Sequence, residues 1–532
     1  MQYVNNPRQT RLIDSFENIL SPLAYKQLTA GWQNLFRETV LELMPVVALK
    51  KHFDPTFGQP TKELYSMCGL VFITEFMDWT IPEAANAYMF RTDIQYALNL
   101  EPEKQSMSDR TVERYKKLIV EDDLAAQIMN DITMALVEKL DLSVKVQRLD
   151  STHVFSDMAQ FGRTRMMGVA VKRFFAQLKR HDEAAFESLP EAIRLRYQPS
   201  SHLLFGDVKK DAESRRLLRQ QVAEDMHYLV ERFSADAKHN TRSTFMLLVR
   251  VFNEQCEIIA DKIGIRAHPG GDVVQNTSDQ GATRDGHKGP GYQAQLAETC
   301  DVVNDVQLIL AAIPQTAAEQ DPNAVELILD VLTQNNAVPN VLFADTLYGS
   351  DENVQKCESM GVEMVSPTPG QKSGDAYAIN SDDFVVAENS HEVECCPRGE
   401  APLETIRDDA KEMTLVVMPA TSCDTCPQRA ECPAKRRSDG NYEYRFTDKQ
   451  RRLDSRRREE ATDVFSERYR KRSGIEATNS MLKRVTGMGR LRVRGSPSVF
   501  HAILLKVAGW NIFQTARALA MRKAKRLALV VG

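Results

Sequence analysis

The chain has 532 residues, of which 42% are hydrophobic and 27% charged, and a formal net charge of −5; it is too long for one small core and is predicted to fold into roughly two to four globular units. No apolar run reaches the ~18 residues that a membrane span needs, and the opening MQYVNNPRQTRLIDSF lacks the apolar centre of a signal peptide, so a cytoplasmic protein is expected. Residues 435–494 carry nineteen Lys and Arg against nine Asp and Glu, which leaves the rest of the chain acidic. This asymmetry predicts a polyanion docked on one side, a solvated helical surface being the alternative.

Up to about residue 60, Pro45, Pro55 and Pro60 separate short apolar pieces that read as short helices. Beyond Thr61, Leu64, Met67, Val71, Phe76 and Trp79 keep helical spacing. Thr80 with Glu83, and Thr92 with Gln95, read as capping boxes of two further helices. Ser108 caps a fourth, SDRTVERYKKLI, which presents Arg110, Arg114, Lys116 and Lys117. Residues 1–140 are therefore predicted as an N-terminal helical domain with a DNA-binding unit of helix-turn-helix type, against the alternative of a bundle that only scaffolds. Leu124, Ile128, Ile132 and Leu136 then continue the helical period.

At Ser143 the period changes. SVKVQRLDST predicts a strand ending at Asp150, and a carboxylate there is a plausible ligand, although alone it is more often a turn residue or a cap. Residues 165–260 return to helix as a long insertion within a core spanning residues 141–367. The Gly-rich loop at 268–291 lacks the spacing of a phosphate-binding loop and receives no nucleotide role. YQAQLAET and VQLILAAIP follow as strands, AVELILDVLTQN as a helix, and VLFAD as a buried strand that delivers Asp345 at its end, where α/β sheets bind ligands. Ser350 caps the helix DENVQKCESM, and VEMVSP gives another strand. The order predicts a mixed α/β sheet with helices on its faces.

Residues 368–463 interrupt that order. Cys396 and the Cys423-x2-Cys426-x5-Cys432 array predict one tetrahedral structural zinc site, with Cys395 as a possible replacement for Cys396 and free thiols or an iron–sulfur cluster as alternatives. The other four cysteines, Cys68, Cys256, Cys300 and Cys357, read as buried thiols. Basic runs follow at 435–437, 449–452 and 456–458.

Residues 464–532 form the C-terminal part of the core and carry the stretch YRKRSGIEATNSMLK. On one continuous helix Tyr469, Arg472, Glu476 and Lys483 fall within about 60° of one another, with Ile475, Leu482 and Val485 opposite. A competing reading starts the helix at a Ser473 cap, with Glu476 closing a capping box. GMGRLRVRG extends the basic trend, and an apolar helix from Val499 to Leu519 precedes a basic tail.

Asp150, Asp345 and Glu476 together suggest a carboxylate set able to hold two divalent ions at a phosphodiester. Arg472 and Lys483 would hold backbone phosphates and Tyr469 a phosphate near the cut. The spacing Tyr-x2-Arg-x3-Glu-x6-Lys, with LDSTHV around Asp150 and FADTLYGS around Asp345, resembles the bacterial insertion-sequence transposases of the DDE type with a Tyr-Arg-Glu-Lys signature, in the branch with a Cys-rich, zinc-ribbon-like insertion. The resemblance runs from about residue 60 to 515. It implies an RNase H-like catalytic core and two Mg²⁺ (or Mn²⁺) ions on Asp150, Asp345 and Glu476. It further implies hydrolysis at the 3′ ends of the element with strand transfer into target DNA, by a dimer that brings two double-stranded ends together at the nucleoid. A DNA endonuclease without strand transfer and a non-catalytic DNA-binding derivative are the alternatives.

Overall fold

The computed structural model describes residues 2–7, 14–102, 105–159, 161–206, 211–370, 379–387 and 390–531. Parts of the opening stretch and of the Cys-rich segment considered above lie outside these residues. The chain begins with short helical pieces such as Ser15–Ile19, Pro22–Ala30 and Val46–Lys50. Longer helices follow: α1 (Leu64–Phe76), α2 (Ile81–Phe90), α3 (Asp109–Glu121) and α4 (Ala125–Leu140).

Thr80 and Glu83 form the expected capping box, and Ser108 Oγ accepts from the Thr111 N–H to open α3. Thr92 does not cap. It is already the first residue of the helix Thr92–Ala97, and the Gln95 side-chain amide donates to the carbonyls of Tyr88 and Met89.

The central sheet is built from β1 (Val146–Val154), β2 (Gly289–Thr299), β3 (Ile309–Thr316), β4 (Val341–Phe343) and β5 (Glu363–Val365), in the order β3-β2-β1-β4-β5. Strands β1, β2 and β3 pair antiparallel, and β4 and β5 continue the sheet parallel to β1. A short strand, Thr283–Asp285, pairs with the start of β2. Between β1 and β2 the chain forms α5 (Arg163–His181), α6 (Ala212–Ser234) and α7 (Ser243–Gln255), followed by the hairpin Cys256–Ile259 and Lys262–Ile265. This excursion has its own buried cluster around Met167, Phe174, Met226, Leu229 and Val251.

Helix α8 (Ala324–Gln334) leads into β4, and α9 (Asp351–Ser359) supplies the crossover that the parallel pair β4–β5 requires. The next segment folds into an antiparallel sheet of β6 (Glu404–Asp408), β7 (Met413–Met418) and β8 (Tyr442–Thr447). Four helices complete the chain: α10 (Asp448–Glu460), α11 (Asp463–Tyr469), α12 (Gly474–Thr486) and α13 (Ser496–Val531). The predicted apolar helix therefore continues through the basic tail. A mixed sheet carrying helices is consistent with an RNase H-like transposase core.

One hydrophobic cluster runs from Leu35 through α1–α4 and the sheet to Ala518 on α13, so the N-terminal helices share their core with the sheet. Helix α13 lies against α1, α4 and β3. At Gly509 a Cβ would stand 2.2 Å from the Phe76 Cβ, so only glycine permits this approach of α13 to α1.

The basic run on α10 is largely engaged inside the protein. Arg452 forms a two-pronged pair with Asp351, and Arg456 donates to the carbonyls of Gly349 and Ser366. Arg451 donates to the carbonyls of Ser381 and Phe384, while Arg458 pairs with Asp382 and Asp383. These charges join α10 to the turn after β4 and to the Cys-rich segment, so the local excess of cations does not translate into a free cationic face there.

Candidate active site

Strand β1 does not end at Asp150, as its pattern suggested, but runs on to Val154, because β2 remains paired with it from Gln147 to Val154. What ends near Asp150 is the other pairing. Its parallel partner β4 matches Val146 with Val341 and Arg148 with Phe343, and there the ladder stops. Continuing that register would set Asp150 beside Asp345, so both carboxylates stand where β1 and β4 part. The Leu347 N–H donates to Asp345 Oδ1 at 2.9 Å, and Ser366 Oγ donates to the Asp345 carbonyl. This local turn fixes the chain just past the strand end.

The signature stretch is not one continuous helix. Helix α11 ends at Tyr469, residues Arg470–Ser473 form a tight 3₁₀ turn, and α12 begins at Gly474. Ser473 accepts no hydrogen bond from the new helix; its hydroxyl donates to the Arg470 carbonyl, so the capping box also does not form. Ile475 and Leu482 are fully buried as expected, whereas Val485 is exposed. Each of those two buried side chains stabilises the docked helix by about 1.5–3 kcal/mol, and their anchorage leaves Glu476 facing outward with its side chain 64% exposed.

Arg472 binds the three acids together. One of its terminal nitrogens lies 3.1 Å from Asp150 Oδ1 and 3.8 Å from Asp345 Oδ2, and the other lies 3.0 Å from Glu476 Oε1. Asn479, one turn beyond Glu476, donates from Nδ2 to Asp150 Oδ2 at 3.1 Å. Its Oδ1 is buried without a hydrogen-bond partner among the described residues. Tyr469 stacks on Phe465 with ring centroids 5.7 Å apart. Lys483 lies half-buried on α12 and makes no ion pair among the described residues.

Two further residues position this assembly and were not singled out in the sequence. Arg148 and Glu298 face each other across β1 and β2, with Arg148 Nε donating to Glu298 Oε2 at 2.7 Å. Arg148 also donates to the Lys471 carbonyl, and Thr478 Oγ1 donates to Glu298 Oε1 at 2.7 Å. The pair thus holds both the 3₁₀ turn and α12 against the sheet. A Cβ at Gly474 would stand 1.9 Å from Arg148 Nη1, so glycine is required for that approach. The available signal was Glu298 as the one charged residue in the sequence of β2, since a charge buried in a strand requires a partner.

Burial raises the Asp150 carboxyl above its ordinary range, Arg472 opposes that rise, and Asp345 adds to it. For Arg472, burial disfavours the charge, but Asp150, Tyr469, Asp345 and Glu476 outweigh it and hold the guanidinium above its ordinary value. Lys483 is lowered by burial and by Lys288, against the pull of Asp150. Carboxylate oxygens with an unpartnered amide oxygen are the hard donors that Mg²⁺ or Mn²⁺ prefers, so the residues fit such ions chemically. No three His, Cys, Asp or Glu side chains among the described residues stand in ion-holding geometry, and between these acids the bridging cation is Arg472.

Cys396, Cys423, Cys426 and Cys432 line one cavity of about 360 Å³; Cys395 does not. The Cys423 thiol is pushed up to about 11 by burial and by the other three cysteines. On α3, Val112, Tyr115 and Ile119 face the core and Arg110 is exposed. Arg114 lies over the Phe53 ring at 5.0 Å, while Lys116 pairs with the buried Glu75. No helix among the described residues is long and apolar enough to cross a membrane.

Residues 395–516 match a family model described as a transposase DDE domain, which supports a transposase of the DDE type. The matched span holds the cysteines, α10 and Glu476, and leaves out Asp150 and Asp345. A comparison with curated proteins finds no match.

Proposed function

We propose that the protein is a DNA transposase of an insertion sequence that binds the terminal repeats of its element, hydrolyses the 3′ strand at each end and joins the freed hydroxyl to target DNA. The observation carrying this reading is the convergence of Asp150, Asp345 and Glu476, from three separate parts of the chain, on the single cation Arg472. The family match over the segment containing Glu476 gives the convergence its chemical context.

Asp150, Asp345 and Glu476 would hold two Mg²⁺ (or Mn²⁺) ions, which supply Lewis acidity and an activated oxygen for phosphodiester attack. Arg472 keeps the three carboxylates together in the free protein, where two neighbouring negative charges would otherwise repel. Turning its guanidinium to a backbone phosphate would free their oxygens and position the strand in one movement. Lys483, held below its ordinary basicity beside Asp150, and the Tyr469 hydroxyl would contact further phosphates. Arg110 and Arg114 on α3 would contact the duplex outside the catalytic cleft. Two copies of the chain would act together, because two ends must be joined.

The test is an incubation of purified protein with DNA carrying the sequences that flank its own gene, with Mg²⁺ or with EDTA. Metal-dependent nicks at fixed terminal positions are expected. Binding without any cut would leave only the DNA-binding alternative, and cuts without strand-transfer products would leave an endonuclease.

A structural zinc ion on Cys396, Cys423, Cys426 and Cys432 completes the proposal. Metal analysis of protein purified without chelator is expected to find about one zinc per chain. Cys423→Ser should lose it, whereas Cys395→Ser should retain it. Protein free of zinc, or loss of zinc in Cys395→Ser, would discard this ligand set.

A further inference from the structure

Helices α5 and α6 enclose a cavity of about 460 Å³ whose wall includes Arg163, Arg165, Arg215 and Arg219 with Thr164, and no described lining residue is acidic. Arg163 Nε is tied to Gln255 Oε1, Arg165 Nε to the Leu204 carbonyl, and Arg219 Nε to Thr164 Oγ1. These tethers aim the side chains while satisfying only one edge of Arg165 and Arg219. None of Arg163, Arg165 and Arg219 makes an ion pair among the described residues. Their proximity is unfavourable as it stands: burial lowers the Arg163 guanidinium below its ordinary value, and Arg219 lowers it further. The cavity also opens at the first residues of the 19-residue α5, where unpaired N–H groups add positive potential. Guanidinium groups such as those of Arg163 and Arg219, gathered against their own repulsion with no acid among the described lining residues, make a receptor for phosphate oxygens.

The approach from the catalytic cleft is basic as well. Past β1, Phe155 and Asp157 hydrogen-bond to the backbone of Gly489, Leu491 and Val493, which lays the GRLRVR segment beside the chain leading to Gly162. Arg490 and Arg494 on that segment are exposed, and Arg494 lies close enough to Arg173 on α5 to lower it, after burial. Gly162 follows Asp150 by twelve residues, at most ~43 Å of chain, which is about thirteen nucleotide steps of ~3.4 Å along one strand.

We infer that this arginine-lined cavity is a second phosphate-binding site, which grips the DNA backbone beyond the catalytic cleft while the acids hold the scissile phosphate. The inference rests on the proposed action on DNA. It makes the helical excursion between β1 and β2 part of the DNA-binding surface rather than a spacer.

The test compares wild type with an Arg165→Gln, Arg215→Gln, Arg219→Gln triple variant and with the matching triple lysine variant, each first checked for wild-type melting. Binding to a ~30-base-pair duplex in EDTA is followed from about 50 to 200 mM salt. Each phosphate contact contributes about 0.9 to the slope of log K against log salt, so the glutamine triple is expected to lose about 2 to 3 from that slope and the lysine triple to recover it. An unchanged slope in a folded glutamine triple overturns the inference. Loss of inorganic-phosphate stabilisation with an unchanged DNA slope would show a free-phosphate site and overturn the DNA assignment. The same duplex given Mg²⁺ tests cleavage separately, so a lost slope without any cutting would leave this site standing while refuting the catalytic reading.

Discussion

Asp150→Asn is expected to lower metal-dependent cleavage by about 10³-fold or more while leaving duplex binding nearly unchanged and the fold no less stable. The first part follows from position. Asp150 is the carboxylate contacted by both Arg472 and Asn479, at the point where β1 and β4 separate. The stability part follows from its pKa, which burial raises. A carboxyl whose folded value lies above its unfolded value contributes stability that is present at low pH and lost as pH rises through the folded value. At neutral pH, ionised Asp150 therefore costs the metal-free fold stability, and the neutral isostere removes that cost. Melts in EDTA should place Asp150→Asn at or above wild type at pH 7, with the difference shrinking as the pH falls through the folded value of Asp150. A variant that still cuts at the wild-type rate would remove Asp150 from the site. One that loses activity together with its melting transition would make Asp150 a structural residue instead.

The three acids were legible because each carried a local mark: a strand followed by a polar turn for Asp150, a buried apolar run for Asp345, and a helical stripe for Glu476. The geometry between them was not. Whether Asp150 lies at the end of β1 depends on how far β2 stays paired, and β2 is more than 130 residues away along the chain. The break at Arg470–Ser473 holds no Gly or Pro and showed only as the competing helix start at Ser473; it is fixed by Arg148 reaching the Lys471 carbonyl from the sheet. Helical periodicity reports which residues share a face, and it placed Ile475 and Leu482 correctly. It does not report which of several charged residues will meet a buried partner, so Glu298 and Asn479 passed unnoticed. The internal partners of the basic run on α10 were out of reach for the same reason. Composition counts charges, and only the fold reveals that Asp351, Asp382 and Asp383 take them up. Order along the chain, by contrast, did give the mixed sheet, because alternating strand and helix patterns leave few ways to cover both faces.

Lys506→Met is expected to destabilise the protein by about 3 kcal/mol, although the hydrogen bonds of Lys506 go to Glu75, Asp78 and Thr486 and not to Asp150, Asp345 or Glu476. Its ammonium sits on α13 with 2% of the side chain exposed, and it donates to the Glu75 carbonyl at the end of α1, to the Thr486 carbonyl at the end of α12, and to Asp78 Oδ1. Helix C-termini leave carbonyls unpaired and carry partial negative charge, so one cation here satisfies two helix ends at once. Burial lowers its basicity, and Asp78 and Glu75 act against that. Methionine keeps the length and apolar stem but leaves the Thr486 carbonyl without a donor among the described residues and the Glu75 carbonyl with only backbone N–H groups such as that of Asp78. Asp78 retains Arg492 and some access to water, which keeps the loss toward the lower part of the range for a broken buried pair. Glu75 keeps Lys116. The measurement is urea unfolding of wild type and variant at pH 7, read as a shift in midpoint at constant slope. A change below about 1 kcal/mol would mean that water replaces the ammonium at both carbonyls. A loss of the expected size would establish that the helix carrying Glu476 is fixed at its far end by the C-terminal helix, so that the geometry of the last acid depends on the same core that holds the N-terminal helices.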